Sequence, residues 1–200
     1  TAAYAYQIVY LFVGLIGKGR GGRENAKLHR YAAVVAARNE SAVIANLIRT
    51  LKEQNYPSEL LDIYVIADNC TDNTAQISRQ AGAYVYERFN KVQVGKGYAL
   101  EYLFHHIFED KGETAYDGFF VFDADNIVDR DFVREMNKMF DTGEYTALTS
   151  YRNSQNFCAN WISAGYALWF LRESRFLNRP RTQLGVNCAV SGTGFLVSAQ

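Results

Sequence analysis

Short apolar runs and stretches of helical periodicity alternate along most of this chain. Tyr31 to Ala37, "YAAVVAA", is a continuous apolar run and reads as a buried strand. In "NESAVIANLIRTLKEQ", which follows, Val43, Ile44, Leu47, Ile48 and Leu51 fall on one helical face. Asn39 or Ser41 is placed to cap that helix, and Tyr56-Pro57 breaks it. "DIYVIAD" (Asp62 to Asp68) predicts a second strand, "CTDNTAQISRQAG" a helix ended by Gly82, and "AYVYE" (Ala83 to Glu87) a third strand. Gly97 to Phe108 predicts a helix with Leu100, Leu103, Phe104 and Ile107 inward, and Phe119 to Phe122 a fourth buried strand. Beyond Asp131 the periodicity weakens. "DFVREMNKMF" predicts a helix packing through Phe132, Val133, Met136 and Phe140, and "YTALTSY" another strand. "FCANWISAGYALWFLRESRFLN" predicts a long aromatic-rich core or membrane-surface helix interrupted at Gly165, and "CAVSGTGFLVS" a strand pair or bend.

Regular strand–helix alternation implies an α/β fold with a mostly parallel, doubly wound sheet and right-handed crossovers. In such sheets ligands bind beyond the carboxyl ends of the strands. The polar residues that follow the runs are Arg38-Asn39-Glu40, Asp68-Asn69, and Asp123 with Asp125, so they gather on that one edge. Acidic groups at successive strand ends point to a functional cleft rather than to turn chemistry alone.

The pair in "FFVFDADN" is the sharpest local signal. With strand periodicity, Asp123 and Asp125 project toward the same side. Two carboxylates about 5 Å apart repel by roughly 3 kcal/mol at an effective dielectric near 20, a cost that a bound cation removes.

Composition adds limits. Two hundred residues, 48% hydrophobic and 14% aromatic, suit one folded domain, and a formal net charge of zero gives no global pointer to nucleic acid. Cys70, Cys158 and Cys188 are scattered and lack CxxC spacing, which excludes a disulfide framework or structural zinc as the organising device. His29, His105 and His106 show no ligand spacing and read as solvated or helix-surface residues. Residues 1–17 are uncharged and mostly apolar, and Lys18, Arg20, Arg23, Lys27 and Arg30 follow against Glu24 alone. This pattern predicts part of a transmembrane helix over 1–17, a basic cytoplasmic linker over 18–30, and a folded region over 31–200 on the cytoplasmic side of a cell membrane. Asn39-Glu40-Ser41 and Asn69-Cys70-Thr71 match the glycosylation acceptor pattern, but both lie at the cleft edge, which favours the cytoplasmic side.

Five ordered pieces, "VVAARNE", "IYVIADNCTDNT", "GKGYAL", "FVFDADN" and "VSGTGF", make the chain resemble the family 2 glycosyltransferases, in particular the membrane-anchored cellulose, hyaluronan and poly-N-acetylglucosamine synthase group. The resemblance implies a GT-A nucleotide-diphospho-sugar transferase fold over roughly Tyr31 to the end. It implies that Ala37, Arg38 and Glu40 line the nucleotide site, that Asp68 bonds the base, and that Lys96 approaches the phosphates. It further implies Asp123 near the ribose and metal, Asp125 as the ligand of Mg2+ or Mn2+, and Gly192, Thr193 and Gly194 along the donor-sugar and acceptor site. The expected partners are a nucleotide-sugar donor, a UDP-sugar, a glycan or lipid acceptor, and a membrane, with transfer by inversion.

The family's general base lies in a "TED"-like motif downstream of the "GTG" region, and a "QxxRW"-like motif marks processive members. Neither occurs before Gln200, so the base is expected beyond it and the chain reads as a donor-half fragment. Two alternatives stay open. An aspartyl-nucleophile Mg2+-dependent phosphohydrolase would use Asp123 to attack phosphorus and Asp125 as acid and base, although that motif normally sits on the first strand. A non-catalytic nucleotide-binding module is the other. The dinucleotide-binding reading is weaker, because "GKGRGG" follows no strand and "GKGYAL" lacks the third glycine.

Overall fold

The structure, a computed structural model, describes residues 5–16, 21–154, 157–190 and 192–199. It divides into two units, one of Gly22–Leu148 with Gly192–Gln200 and the other of Thr1–Gly21 with Thr149–Ser191. Lys18 and Arg20 of the basic stretch lie outside the described residues.

The larger unit is built on strands β1 (Tyr31–Ala37), β2 (Leu61–Asp68), β3 (Tyr84–Arg88) and β4 (Gly118–Asp123). Short strands β5 (Ala147–Thr149) and β6 (Phe195–Ser198) complete a six-stranded sheet in the order β3-β2-β1-β4-β6-β5. The first four pair in parallel, and β6 runs antiparallel to β4. Buried on both faces, β1 needs no polar alternation, which is why it reads as an unbroken apolar run. Its residues divide by period two: Tyr31, Ala33, Val35 and Ala37 join one core, Ala32 and Val34 the other.

Each core is closed by helices whose apolar stripe matches the sequence reading. Helix α2 (Ile44–Lys52) supplies Ile44, Leu47, Ile48 and Leu51 to the first core, and α5 (Phe132–Phe140) adds Val133 and Met136. Helix α4 (Lys96–Lys111) closes the opposite face with Ala99, Leu103 and Ile107. Full burial of each such large side chain is worth about 1.5–3 kcal/mol. The short helix α3 (Thr74–Gln80) ends before Gly82, whose φ of +87° favours glycine and lets the chain turn into β3.

Three local expectations change. Helix α2 starts later than predicted, with Val43 at its N-cap and no side-chain cap, because Asn39 and Ser41 are engaged with the β2–α3 loop instead. His29 is not a solvated residue: its side chain is 16% exposed and its Nε2 lies 2.9 Å from Asp141 Oδ1. His105 and His106 do lie on a helix surface, but each faces Glu109, at 3.5 and 3.1 Å.

The second unit is helical. It comprises α1 (Tyr6–Ile16), α6 (Trp161–Leu171), a π-helix over Arg172–Asn178 and α7 (Arg179–Gln183). The predicted break at Gly165 does not occur; α6 runs through it, and the irregularity comes at Arg172. Pro180 supplies the reason, since it cannot donate to a carbonyl one turn back and the preceding turns widen to accommodate it. Gly14 of α1 is buried, and a Cβ there would lie 2.7 Å from the Arg175 carbonyl oxygen, so glycine permits this close helix approach. Among the described residues no helix is long and apolar enough to cross a membrane, and α1 spans 11 residues.

Candidate functional site

The chain returns from β1 to β2 on one side and reaches β4 on the other, so the order of the sheet reverses at β1. The crevice at such a reversal, beyond the carboxyl ends of the strands, is where open α/β sheets bind ligands. Arg38 and Glu40 leave β1 there, Asp68 ends β2, and Asp123 ends β4. Asp68 and Asp123 flank β1 on either side, two strand spacings or about 10 Å apart across the sheet.

At the β4 end the structure brings five sequence-predicted residues together: Lys96, Asp123, Gly192, Thr193 and Gly194. Lys96 Nζ, at the start of α4, donates to Asp123 Oδ1 at 2.5 Å and to the Gly192 carbonyl oxygen at 3.1 Å. Thr193 Oγ1 accepts from the Asp123 amide at 2.7 Å and donates to Asn126 Oδ1. The Gly194 amide donates to the Val121 carbonyl at 2.8 Å, which fixes the glycine loop against β4. Gly192 and Gly194 have φ of +70° and +68°, so this tight return favours glycine on both sides of Thr193. Asn126 was not singled out from the sequence, although it completes the "DADN" motif and its side chain also donates to Asp125 Oδ1 at 3.2 Å.

Thr193→Val is isosteric and removes both hydroxyl bonds. It should lower stability by about 1–3 kcal/mol and speed hydrogen exchange at the Asp123 amide, read by denaturant titration and NMR. Unchanged exchange would show that the hydroxyl does not hold this loop.

At the β2 end, Asp68 is buried and its Oδ1 accepts from Arg88 Nη1 at 2.7 Å. Arg88 Nη2 donates to the Gln93 carbonyl oxygen at 2.8 Å, which ties the loop before Lys96 to the same pair. Sequence reading missed Arg88. The only signal was a lone cation ending an apolar strand, and it acquires meaning only through the register, which pairs Asp68 with Arg88.

Between these ends, two loops clasp each other. Asn39 Oδ1 accepts from the Thr71 amide at 2.8 Å, Asp72 Oδ2 from the Ser41 amide at 3.2 Å, and Thr74 Oγ1 from the Glu40 amide at 2.8 Å. Asn39 and Asn69 both have φ above +50°, a conformation Asn tolerates better than most residues. Ala37 is buried and its carbonyl accepts from the Cys70 thiol at 3.5 Å, whereas Arg38 is exposed at the cleft edge.

Hydrogen bonds from Thr74, then from Ser41, pull the Asp72 carboxyl down to about 2 from its usual 3.8. A depressed carboxylate stabilises the fold above its unfolded pKa, and that contribution is lost as pH falls through the folded value. The stability difference between the natural chain and Asp72→Asn should therefore be constant above pH 5 and shrink from about pH 4 toward pH 2. Urea midpoints measured across that range check it; a pH-independent difference would contradict the charged clasp.

The donor set suits a hard cation. Asp125 is exposed, and Asp123 is half-buried at the same mouth. Among the described residues no group of three or more His, Cys, Asp or Glu side chains gathers at one point. Mg2+-type sites commonly use one or two carboxylates and complete the shell with water and substrate phosphates, so this pair fits.

The α/β sheet thus places Asp123 and Asp125 at its switch point, with the glycine loop clamped to Asp123. The chain belongs to the family described as "Glycosyltransferase like family 2", whose model matches residues 29–200. A beta-monoglucosyldiacylglycerol synthase from Synechocystis sp. is 28% identical over 172 residues, covering 84% of this chain and 34% of that protein. The protein of the same name from Nostoc sp. is 29% identical over 178 residues, covering 84% of this chain and 35% of its own length. The chain thus spans about a third of these curated relatives. A mannosyltransferase from Pyrobaculum calidifontis, solved in complex with GDP-Man and Mn2+, superposes with a TM-score of 0.63 at 19% identity, covering 87% of this chain and 49% of its own. Glucosyl-3-phosphoglycerate synthase from M. tuberculosis superposes with a TM-score of 0.54 at 23% identity, covering 86% and 57%. These likenesses establish the GT-A fold that the family resemblance implied, on the mostly parallel sheet that the strand–helix alternation implied.

Proposed function

We propose that this chain carries the donor half of a metal-dependent glycosyltransferase site, and that the whole protein transfers a sugar from a UDP-sugar to a lipid acceptor at the cytoplasmic face of a membrane, with inversion. The observation that carries the reading is the Lys96–Asp123–Gly192 junction beside Asp125 at the sheet's switch point. The relatives' name supports a diacylglycerol-type lipid acceptor, and the neighbour solved with GDP-Man and Mn2+ supports a divalent cation.

Each residue then has a physical task. Arg88 holds Asp68 through Oδ1, which leaves Oδ2 to accept an imino N–H from the base. Asp125 and Asp123 would hold Mg2+ or Mn2+, which when bound neutralises charge developing on the departing diphosphate. Lys96 restrains Asp123 and brings a cation to the phosphate end, while exposed Arg38 adds a second positive charge at the mouth. Gly192 and Gly194, without side chains, let the sugar approach backbone, and Thr193 holds that backbone against Asp123.

Calorimetric titration of UDP and GDP into the chain, with and without Mn2+, tests this. UDP should bind only with metal, and GDP at least about tenfold more weakly, a difference of roughly 1.4 kcal/mol. Metal-independent binding, or no binding of UDP by the folded chain, would contradict the donor-site reading.

A further inference from the structure

The helical unit has a surface that water alone does not explain. Helices α1 and α6 carry no charged residue, yet most of their large apolar side chains are exposed: Ile8 is 60%, Phe12 58%, Trp161 83% and Trp169 58% accessible. Soluble chains rarely expose contiguous apolar surface of this kind unless something docks on it. The charges are concentrated immediately afterwards. From Arg172 to Gln183 the chain carries Arg172, Arg175, Arg179 and Arg181 against Glu173 alone, in a protein with a formal net charge of zero. Arg172 lies over the Trp169 ring at 5.6 Å and Arg181 over the Tyr10 ring at 5.9 Å, so cations and aromatic rings are interleaved as at a lipid headgroup boundary.

Between α1 and the π-helix is a groove of about 660 Å³, lined by Gln7, Ile8, Leu11, Arg172, Phe176 and Leu177. Its walls are apolar except for Gln7 and Arg172, and Arg172 donates to Gln7 Oε1 at 3.0 Å. A π-helical stretch widens the backbone and recurs at functional sites.

We propose that this groove is a binding site for an anionic bilayer lipid, with an acyl chain along Ile8, Leu11, Phe176 and Leu177 and the headgroup phosphate on Arg172. The inference rests on the membrane part of the function proposed above and not on its donor site. The apolar walls match hydrocarbon, and the excess of arginines matches anionic headgroups rather than zwitterionic ones.

Both tryptophans of the chain lie on α6, so intrinsic fluorescence reports this unit alone. The test is co-sedimentation and tryptophan emission of the chain with phosphatidylcholine vesicles, with and without about 30 mol% phosphatidylglycerol. Binding at least about tenfold tighter to the anionic vesicles, with a blue shift, is expected. Leu11→Asp and Arg172→Glu should each reduce that binding at least about tenfold while UDP titration and circular dichroism stay unchanged. Vesicle binding undiminished in both variants would overturn the groove and leave membrane attachment standing. No vesicle binding would overturn both, with the donor site read separately by UDP. Equal binding to neutral vesicles, or self-association that Leu11→Asp abolishes without any lipid binding, would also overturn the proposal.

Discussion

Asp125→Ala is expected to abolish the metal-dependent binding of UDP, weakening it by at least about 100-fold, while leaving the fold intact. The side chain is exposed at the mouth of the site, and its hydrogen bond among the described residues comes from the adjacent Asn126. Its removal therefore costs little packing. Asp123 cannot replace it freely, because Lys96 already holds one of its oxygens at 2.5 Å. Calorimetry with Mn2+ reads the affinity, and thermal unfolding without ligand reads the fold. Retained binding at natural strength would show that Asp125 is not a cation ligand. A large loss of stability would instead place the residue in the scaffold.

The largest effect on folding is expected at Arg88. Its guanidinium and the Asp68 carboxylate are 5% and 7% exposed, and the two are joined at 2.7 Å. Arg88→Ala leaves the carboxylate buried without its cation, which costs about 3–5 kcal/mol. The double variant Asp68→Asn with Arg88→Met should recover most of that, because it leaves no charge to desolvate. Urea unfolding of the single and double variants separates the outcomes. If the single variant loses less than about 1 kcal/mol, the pair behaves as a surface salt bridge and does not organise this end of the site. UDP affinity of the double variant should stay low even with stability restored, since Asp68 is assigned to the base.

These predictions divide along the line between what the chain's pattern reveals and what only its register does. The unbroken apolar runs at Tyr31–Ala37 and Phe119 to Phe122 mark strands buried on both faces, so the parallel sheet was legible. The α2 stripe was legible too, because Leu47, Ile48 and Leu51 repeat at helical spacing and all reach the core. The carboxylates at the strand ends located the site's edge. What closes the site joins positions far apart in sequence: Asp68 with Arg88, Lys96 with Asp123, and Asp123 with Thr193, 70 residues on. Such pairs leave no periodic trace, since strand pairing and crossover choose them. The same limit explains the helical unit, where Gly165 was expected to break a helix that instead widens before Pro180. Local propensity marks a weak point in a helix but does not say which weak point yields.

Paramagnetic broadening by Mn2+ in the presence of UDP, followed on the backbone amides of the labelled chain, tests the donor site most directly. Broadening should centre on Asp123 to Asn126 and reach Lys96 and Thr193, which are bonded to Asp123, while Asp117 and Gly118 at the opposite end of β4 stay sharp. Broadening centred elsewhere, or spread evenly over surface carboxylates, would contradict the assignment of the cation and its nucleotide to this edge of the sheet.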